Sequence, residues 1–229
     1  MLYAISQAVS LLLSFDRGLY QVIFLTFFVS GSAVILAALS GVPAGTWLGM
    51  QPAPKVRWLT RLIYTLMGLP PVVGGLIIYM LLSRKGVLGL LGLLFTPAAM
   101  IMAQVLLVVP IIIGLTAVAV RGKSGEILDT LRSLGADRRL ILLTVMRESR
   151  IGILGALVAG FGRAVAEVGA VMMVGGNIEG HTRVMTTAIV LEVNKGNFAF
   201  AMALGIILLA ISFLIYSSFY RLLSGGADE

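Results

Sequence analysis

Five stretches of this chain are continuous apolar runs rather than the alternating pattern of a solvated surface. A helix needs about 20 apolar residues to cross the hydrocarbon core of a bilayer. Leu19 to Val42 meets that length, and the run continues past Pro43 to Met50 as a bent extension. Leu62 to Leu82, Pro97 to Val120, Ile151 to Val174 and Phe198 to Tyr220 supply four more spans. Val87 to Phe95 is apolar but too short to cross, and Gly86, Gly89 and Gly92 weaken it as a helix, so an interfacial loop or short helix is expected there. At the amino terminus Leu2, Ile5, Val9 and Leu12 recur at helical spacing opposite Ser6, Gln7 and Ser10. That pattern predicts a helix lying in the membrane surface within residues 1–18, and Met1 to Leu13 lacks the basic start of a signal peptide. Val184 to Val193 predicts a short helix before the last span, and residues 224–229 are expected to be a flexible tail.

The expected fold class is therefore all-α: a polytopic helical membrane protein with five core transmembrane helices within residues 19–223. Proline and glycine modify it. Pro70-Pro71 lies mid-span and removes backbone donors, so the second span should kink, and Pro110 should do the same in the third. Gly41, Gly45 and Gly49 recur every four residues. Either they form a small-residue stripe for close helix contact, or they loosen a helix end.

Composition agrees with a bilayer. Charged residues make up 12% of the chain, about half the usual share, and mean hydropathy is +1.05. The absence of cysteine excludes disulfides, thiol catalysis and Cys-ligated zinc. A formal charge of +7 is not read as nucleic-acid binding, because Lys and Arg collect on cytoplasmic loops of membrane proteins. Here they do collect. Lys55, Arg57 and Arg61 follow the first span, seven lie between Arg121 and Arg150, and Arg221 follows the fifth. Arg17, Arg84, Lys85, Arg183 and Lys195 fall on the other side. Eleven against five places the amino terminus outside and the carboxyl terminus in the cytoplasm.

The basic island, residues 121–150, is too long for a turn. Ile127, Leu128, Leu131 and Leu134 form one apolar stripe, Gly135 provides a left-handed stop, and Asp137 can cap a following helix. Periodicity alone leaves two readings: an amphipathic helix on lipid headgroups, or a docking surface. Gly122-Lys123-Ser124 looks like the end of a phosphate-binding loop, but Ala117 stands where its first glycine belongs and a span precedes it. This chain is thus not expected to hydrolyse ATP.

The fourth span holds Arg163 and Glu167, each costing about 2.5–3.5 kcal/mol at a helix centre. On a continuous helix their spacing puts them on one face, where they can pair. They either form a packing salt bridge or line a solute path. Beyond them, Asn177, Thr182, Arg183, Thr186 and Thr187 carry donors suited to a tetrahedral oxyanion or to a docking protein, the latter being preferred for Arg183. His181, the only histidine, is read as solvated. No Ser–His, HExxH or paired-aspartate arrangement supports an enzyme, and no catalytic residue, metal or cofactor is assigned to this chain.

Two motifs resemble a known family. Asp129-Thr-Leu-Arg-Ser-Leu-Gly135-Ala136 resembles the cytoplasmic loop of ABC importer permeases, where an acid, two small residues and a glycine six positions after the acid mark the helix that enters the ATPase. Thr130 and Leu131 replace the usual alanines, and Glu148 stands where many relatives have proline. Arg163-Ala-Val-Ala-Glu167-Val-Gly-Ala170 through Asn177 is similar to permeases of molybdate, sulfate and tungstate importers, and Thr182 to Ile189 most resembles the tungstate permease. The resemblance implies a type I, MetI-like ABC importer permease in a prokaryotic cytoplasmic membrane. It implies a homodimer around one pore, two cytoplasmic ABC ATPase subunits that bind ATP and Mg, and an external oxyanion-binding protein. Glu126, Asp129, Leu131, Arg132, Gly135 and Ala136 would carry the coupling to the ATPase. A secondary transporter or channel is the alternative class, yet five spans do not divide into repeats and only Glu167 could relay a proton.

Overall fold

The computed structural model describes residues 6, 10, 13 and 17–224. The expected surface helix within 1–18 and the tail over 224–229 otherwise lie outside the described residues, as do the side chains of Glu126 and Arg132. The described elements are all helical: α1 (Arg17–Met50), α2 (Ala53–Met67), α3 (Pro71–Leu82), a 3-10 turn (Gly89–Leu91), α4 (Pro97–Arg121), α5 (Ser124–Ser133), α6 (Arg138–Glu148), α7 (Arg150–Val165), α8 (Gly169–Gly175), α9 (Met185–Asn194) and α10 (Phe198–Ser224). Three of these, α1, α4 and α10, are each long and apolar enough to cross a membrane. Counting the broken pairs α2–α3 and α7–α8 as one span each gives five, the expected number.

The breaks have local causes. At the first, the Gly68 amide turns back to the carbonyl of Thr65, Pro70 is extended at φ −59° and ψ 131°, and Pro71 opens α3. Proline fits the first helical position because the missing amide would have no partner there. The expected kink is thus a full interruption. Pro43 and Pro110, by contrast, lie inside unbroken helices. The second break corrects the reading of the fourth span: α7 ends at Val165, and Glu167 and Val168 are irregular before α8.

The chain forms two compact units. One combines residues 33–69 and 105–164. Its core joins Ala37, Val42, Val108, Ile112, Ile153 and Ala164, with a second cluster of Leu48, Val56, Ile63 and Ala117. Gly41, Gly45 and Gly49 face α4 so closely that a Cβ on each would meet Ile112, the carbonyl of Ile113 and the side chain of Val120 respectively. Close contact is therefore the correct reading of the glycine stripe.

The other unit combines residues 17–32, 70–104 and 165–220 of the described chain. Leu19, Met185, Ala188, Ala203, Leu204 and Ile207 form its core, and α3 packs on α8 with Gly75 against the backbone of Ala170. In both units large apolar side chains point outward, among them Phe24, Leu39, Leu209 and Phe213. Water would penalise such an apolar surface, whereas lipid does not.

Candidate functional site

Candidate residues fall in two places, one in each unit. In the unit built from α3, α8, α9 and α10, the segment after α8 is held by side-chain hydroxyls. Gly176 and Asn177 adopt left-handed backbone at φ 72° and 52°, which asparagine tolerates better than most residues. Thr182 Oγ1 donates to the Gly175 carbonyl at 2.6 Å and accepts from the Ile178 amide at 2.9 Å. Thr187 Oγ1 accepts the Val184 amide at 3.1 Å and donates to its carbonyl at 3.0 Å, which closes the start of α9. Asn177 Nδ2 reaches the Thr187 carbonyl at 3.4 Å. Thr186 Oγ1 donates to the Glu167 carbonyl at 2.9 Å.

Thr182, Thr186 and Thr187 are all buried. Sequence reasoning offered their hydroxyls to an oxyanion or a docking protein, whereas the structure commits them to the backbone. Their role here is to fix the shape of the segment joining α8 to α9.

Glu167 belongs to the same network. It is 3% exposed, and its carboxylate accepts the Ala170 amide at 2.8 Å in the first turn of α8. Because α7 ends at Val165, four-residue spacing no longer places Arg163 and Glu167 on one helical face. Arg163 is half-buried in the last turn of α7. A buried carboxylate bonded to a backbone amide supports a helix terminus by about 1.5–3 kcal/mol. Glu167→Leu should therefore lower the thermal stability of the detergent-solubilised chain by about 2–3 kcal/mol, and Glu167→Gln, which keeps an acceptor, by roughly half as much. Identical melting of wild type and Glu167→Leu would show that α8 does not depend on this bond.

Arg183 stands apart from the threonines. Its guanidinium pairs with Glu179 at 3.1 Å, and it lines a cavity of about 340 Å³ with Gln21, His181, Glu192, Lys195 and Phe200. Lys195 donates to Glu192 at 2.9 Å, and Asn197 donates to the other carboxylate oxygen at 3.0 Å. The Lys195 hydrogen bond holds the Glu192 carboxyl below its ordinary range against the opposing effect of burial. Glu192 and Gln21 escaped the sequence reading, which took Lys195 only as one of the basic residues opposite the island. The opposite charges three residues apart at the end of α9 were the available signal. Among the described residues no group of three or more His, Asp or Glu can hold a metal.

In the other unit, the basic island is an elbow. Leu128 of α5 packs with Val120, Val145, Met50 and Ile141. Gly135 takes the left-handed conformation expected of it, φ 73°, and the Ala136 amide bonds back to the Leu131 carbonyl at 3.0 Å. That six-to-one bond closes the end of α5. Asp137 caps α6 by accepting the Leu140 amide at 2.7 Å, as its position predicted. Lys123 donates to the Glu148 carbonyl at 3.2 Å and ties the two ends of the elbow together. Asp129 and Gly135 are exposed, Leu131 and Ala136 are half-buried, and Leu134 is 75% exposed. The elbow thus offers an acid and an apolar side chain at a tightly specified turn.

Comparison with known proteins follows these features along nearly the whole chain. The family described as binding-protein-dependent transport system inner membrane component matches residues 41–227. The tungstate uptake system permease protein TupB of Peptoclostridium acidaminophilum is 43% identical over 94% of each chain. A probable anion ABC transporter permease protein of Haloferax volcanii is 42% identical over 80% of this chain and 82% of its own. TupB of Campylobacter jejuni is 37% identical over 91% of this chain and 87% of its own.

Proposed function

Because the chain belongs to the family of binding-protein-dependent transport system inner membrane components, we propose that it is the pore-forming permease subunit of an ATP-driven importer of tungstate. The observation that carries the cargo is the 43% identity to a tungstate permease across 94% of both chains. The alternation of five spans with one long basic elbow supports the transport class.

In this reading the chain pairs with a second copy around one pore. Separate ATPase subunits bind ATP and Mg and grip the elbow through Asp129, Leu131, Gly135 and Ala136, with Glu126 and Arg132 on the same helix. Nucleotide-driven closure then reaches the spans as a rigid-body push. An external binding protein delivers the anion to the outer side, where Arg183 is the docking cation. Arg183 already pairs with a carboxylate, Glu179, which is 85% exposed and open to displacement by a partner's acid. This reading puts the amino terminus outside, which the excess of Lys and Arg on the elbow side of the chain supports.

The test is uptake of tungstate into vesicles holding the complete complex. Uptake should require ATP and persist when ion gradients are collapsed. Accumulation without ATP would refute the reading. Calorimetric titration of the cognate binding protein with tungstate, molybdate and sulfate should give tungstate the lowest Kd, and a preference for either other anion would reassign the cargo.

A further inference from the structure

The unit holding the elbow contains a cavity of about 600 Å³. Its walls are Trp47 and Met50 from the last turn of α1 and Leu128 and Ile141 from the elbow. Arg138 is the one charged residue among the described lining residues, with Gln51 beside it as a neutral donor. The carboxylate of the neighbouring Asp137 is already bound to the Leu140 amide. Among its described lining residues the cavity therefore combines apolar walls with one cation and no acid.

Its depth in the bilayer is marked by tryptophan. The chain has two, Trp47 and Trp58, on either side of the α1–α2 turn, exposed by 48% and 76%. Exposed tryptophans collect at the membrane–water boundary, where one edge of the ring is wet. Lys55, Arg57 and Arg61 of α2 are exposed on the same unit. Basic pockets among such helices suit anionic headgroups.

We propose that this cavity holds the phosphate and first acyl carbons of an anionic phospholipid, with Arg138 on the phosphate. A free phosphate would gain nothing from Trp47, Met50, Leu128 and Ile141, whereas an amphiphile uses both kinds of wall. The lipid spans the end of α1 and the elbow, so the anionic lipid content of the membrane sets how firmly the two are braced. The inference rests on the chain being a membrane component and is independent of its cargo.

Brominated lipids test it, because bromine quenches tryptophan on contact. The full-length chain carrying Trp58→Phe leaves Trp47 as the sole reporter. It is reconstituted in phosphatidylcholine containing a minority of brominated phosphatidylglycerol or, in parallel, brominated phosphatidylcholine. Trp47 quenching should report about five-fold enrichment of the anionic lipid, the factor for one cation at an anionic lipid surface. Arg138→Gln should abolish that enrichment, and Arg139→Gln, which changes the same net charge outside the cavity, should keep it. Equal quenching by both lipids overturns the proposal. So does equal loss in both arginine variants, which would indicate bulk surface charge, or cancellation by millimolar inorganic phosphate, which would indicate a free-anion site.

Discussion

Valine in place of Gly45 should prevent the chain from accumulating in the membrane. A Cβ at Gly45 would lie 2.6 Å from the Ile113 carbonyl oxygen and 2.7 Å from Thr116 Cβ. The first of these is backbone, so α1 and α4 must separate to admit any side chain. Helices in lipid have no hydrophobic drive to hold them together and rely on such close contact. The cost should reach about 3 kcal/mol, the upper part of the range for overpacking. Gly31 on the same helix meets nothing within 4 Å and serves as the control. Gly31→Val should stay within about 0.5 kcal/mol of wild type. The level of a fluorescent carboxyl-terminal fusion and the melting temperature in detergent measure both variants. Equal abundance of the two would show that the glycine stripe does not hold α1 to α4.

Proline in place of Gly135 should leave the assembled permease in the membrane but uncouple it. Proline holds φ near −65°, and Gly135 sits at 73°, so the elbow must adopt another turn. A Cβ there would meet nothing within 4 Å, which confines the effect to the backbone. Strain of this kind costs on the order of 1–3 kcal/mol, enough to reduce ATP-driven uptake by about tenfold. Hydrolysis by the assembled complex should continue. Gly135→Asn should retain most of the uptake, because asparagine accepts left-handed backbone. Asp129→Lys should match the proline variant by reversing charge on the exposed face of α5. Normal uptake by both Gly135→Pro and Asp129→Lys would remove the elbow from the coupling path.

The sequence made Gly135 and Asp137 legible because each acts within one turn of itself. The left-handed stop and the amide acceptor follow from local chemistry, and the structure shows both. The glycine stripe was half legible. Its spacing was plain, but the α4 residues that give it meaning, Ile112 to Val120, lie more than sixty residues from the glycines they meet. The break at Glu167 was not legible, because Ala-Val-Ala-Glu-Val is compatible with a helix. It ends there because the carboxylate and carbonyl of Glu167 bond Ala170 and Thr186. Thr182, Thr186 and Thr187 show the same limit. Residue type revealed three hydroxyls, and only the fold revealed that backbone groups already occupy them.

Thr26 carries a consequence for how the molecule is made. Its hydroxyl donates to the Val22 carbonyl at 2.6 Å and accepts the Met185 amide at 2.9 Å, across 159 residues of chain. Gln21 reaches Gly180 over the same separation. A ribosome adding about 5–20 residues per second produces that partner roughly ten to thirty seconds after Thr26. The stretch of α1 around Gln21 and Thr26 must therefore wait in the bilayer until residues 180–185 have been made, long after α4 has become available to Gly41, Gly45 and Gly49.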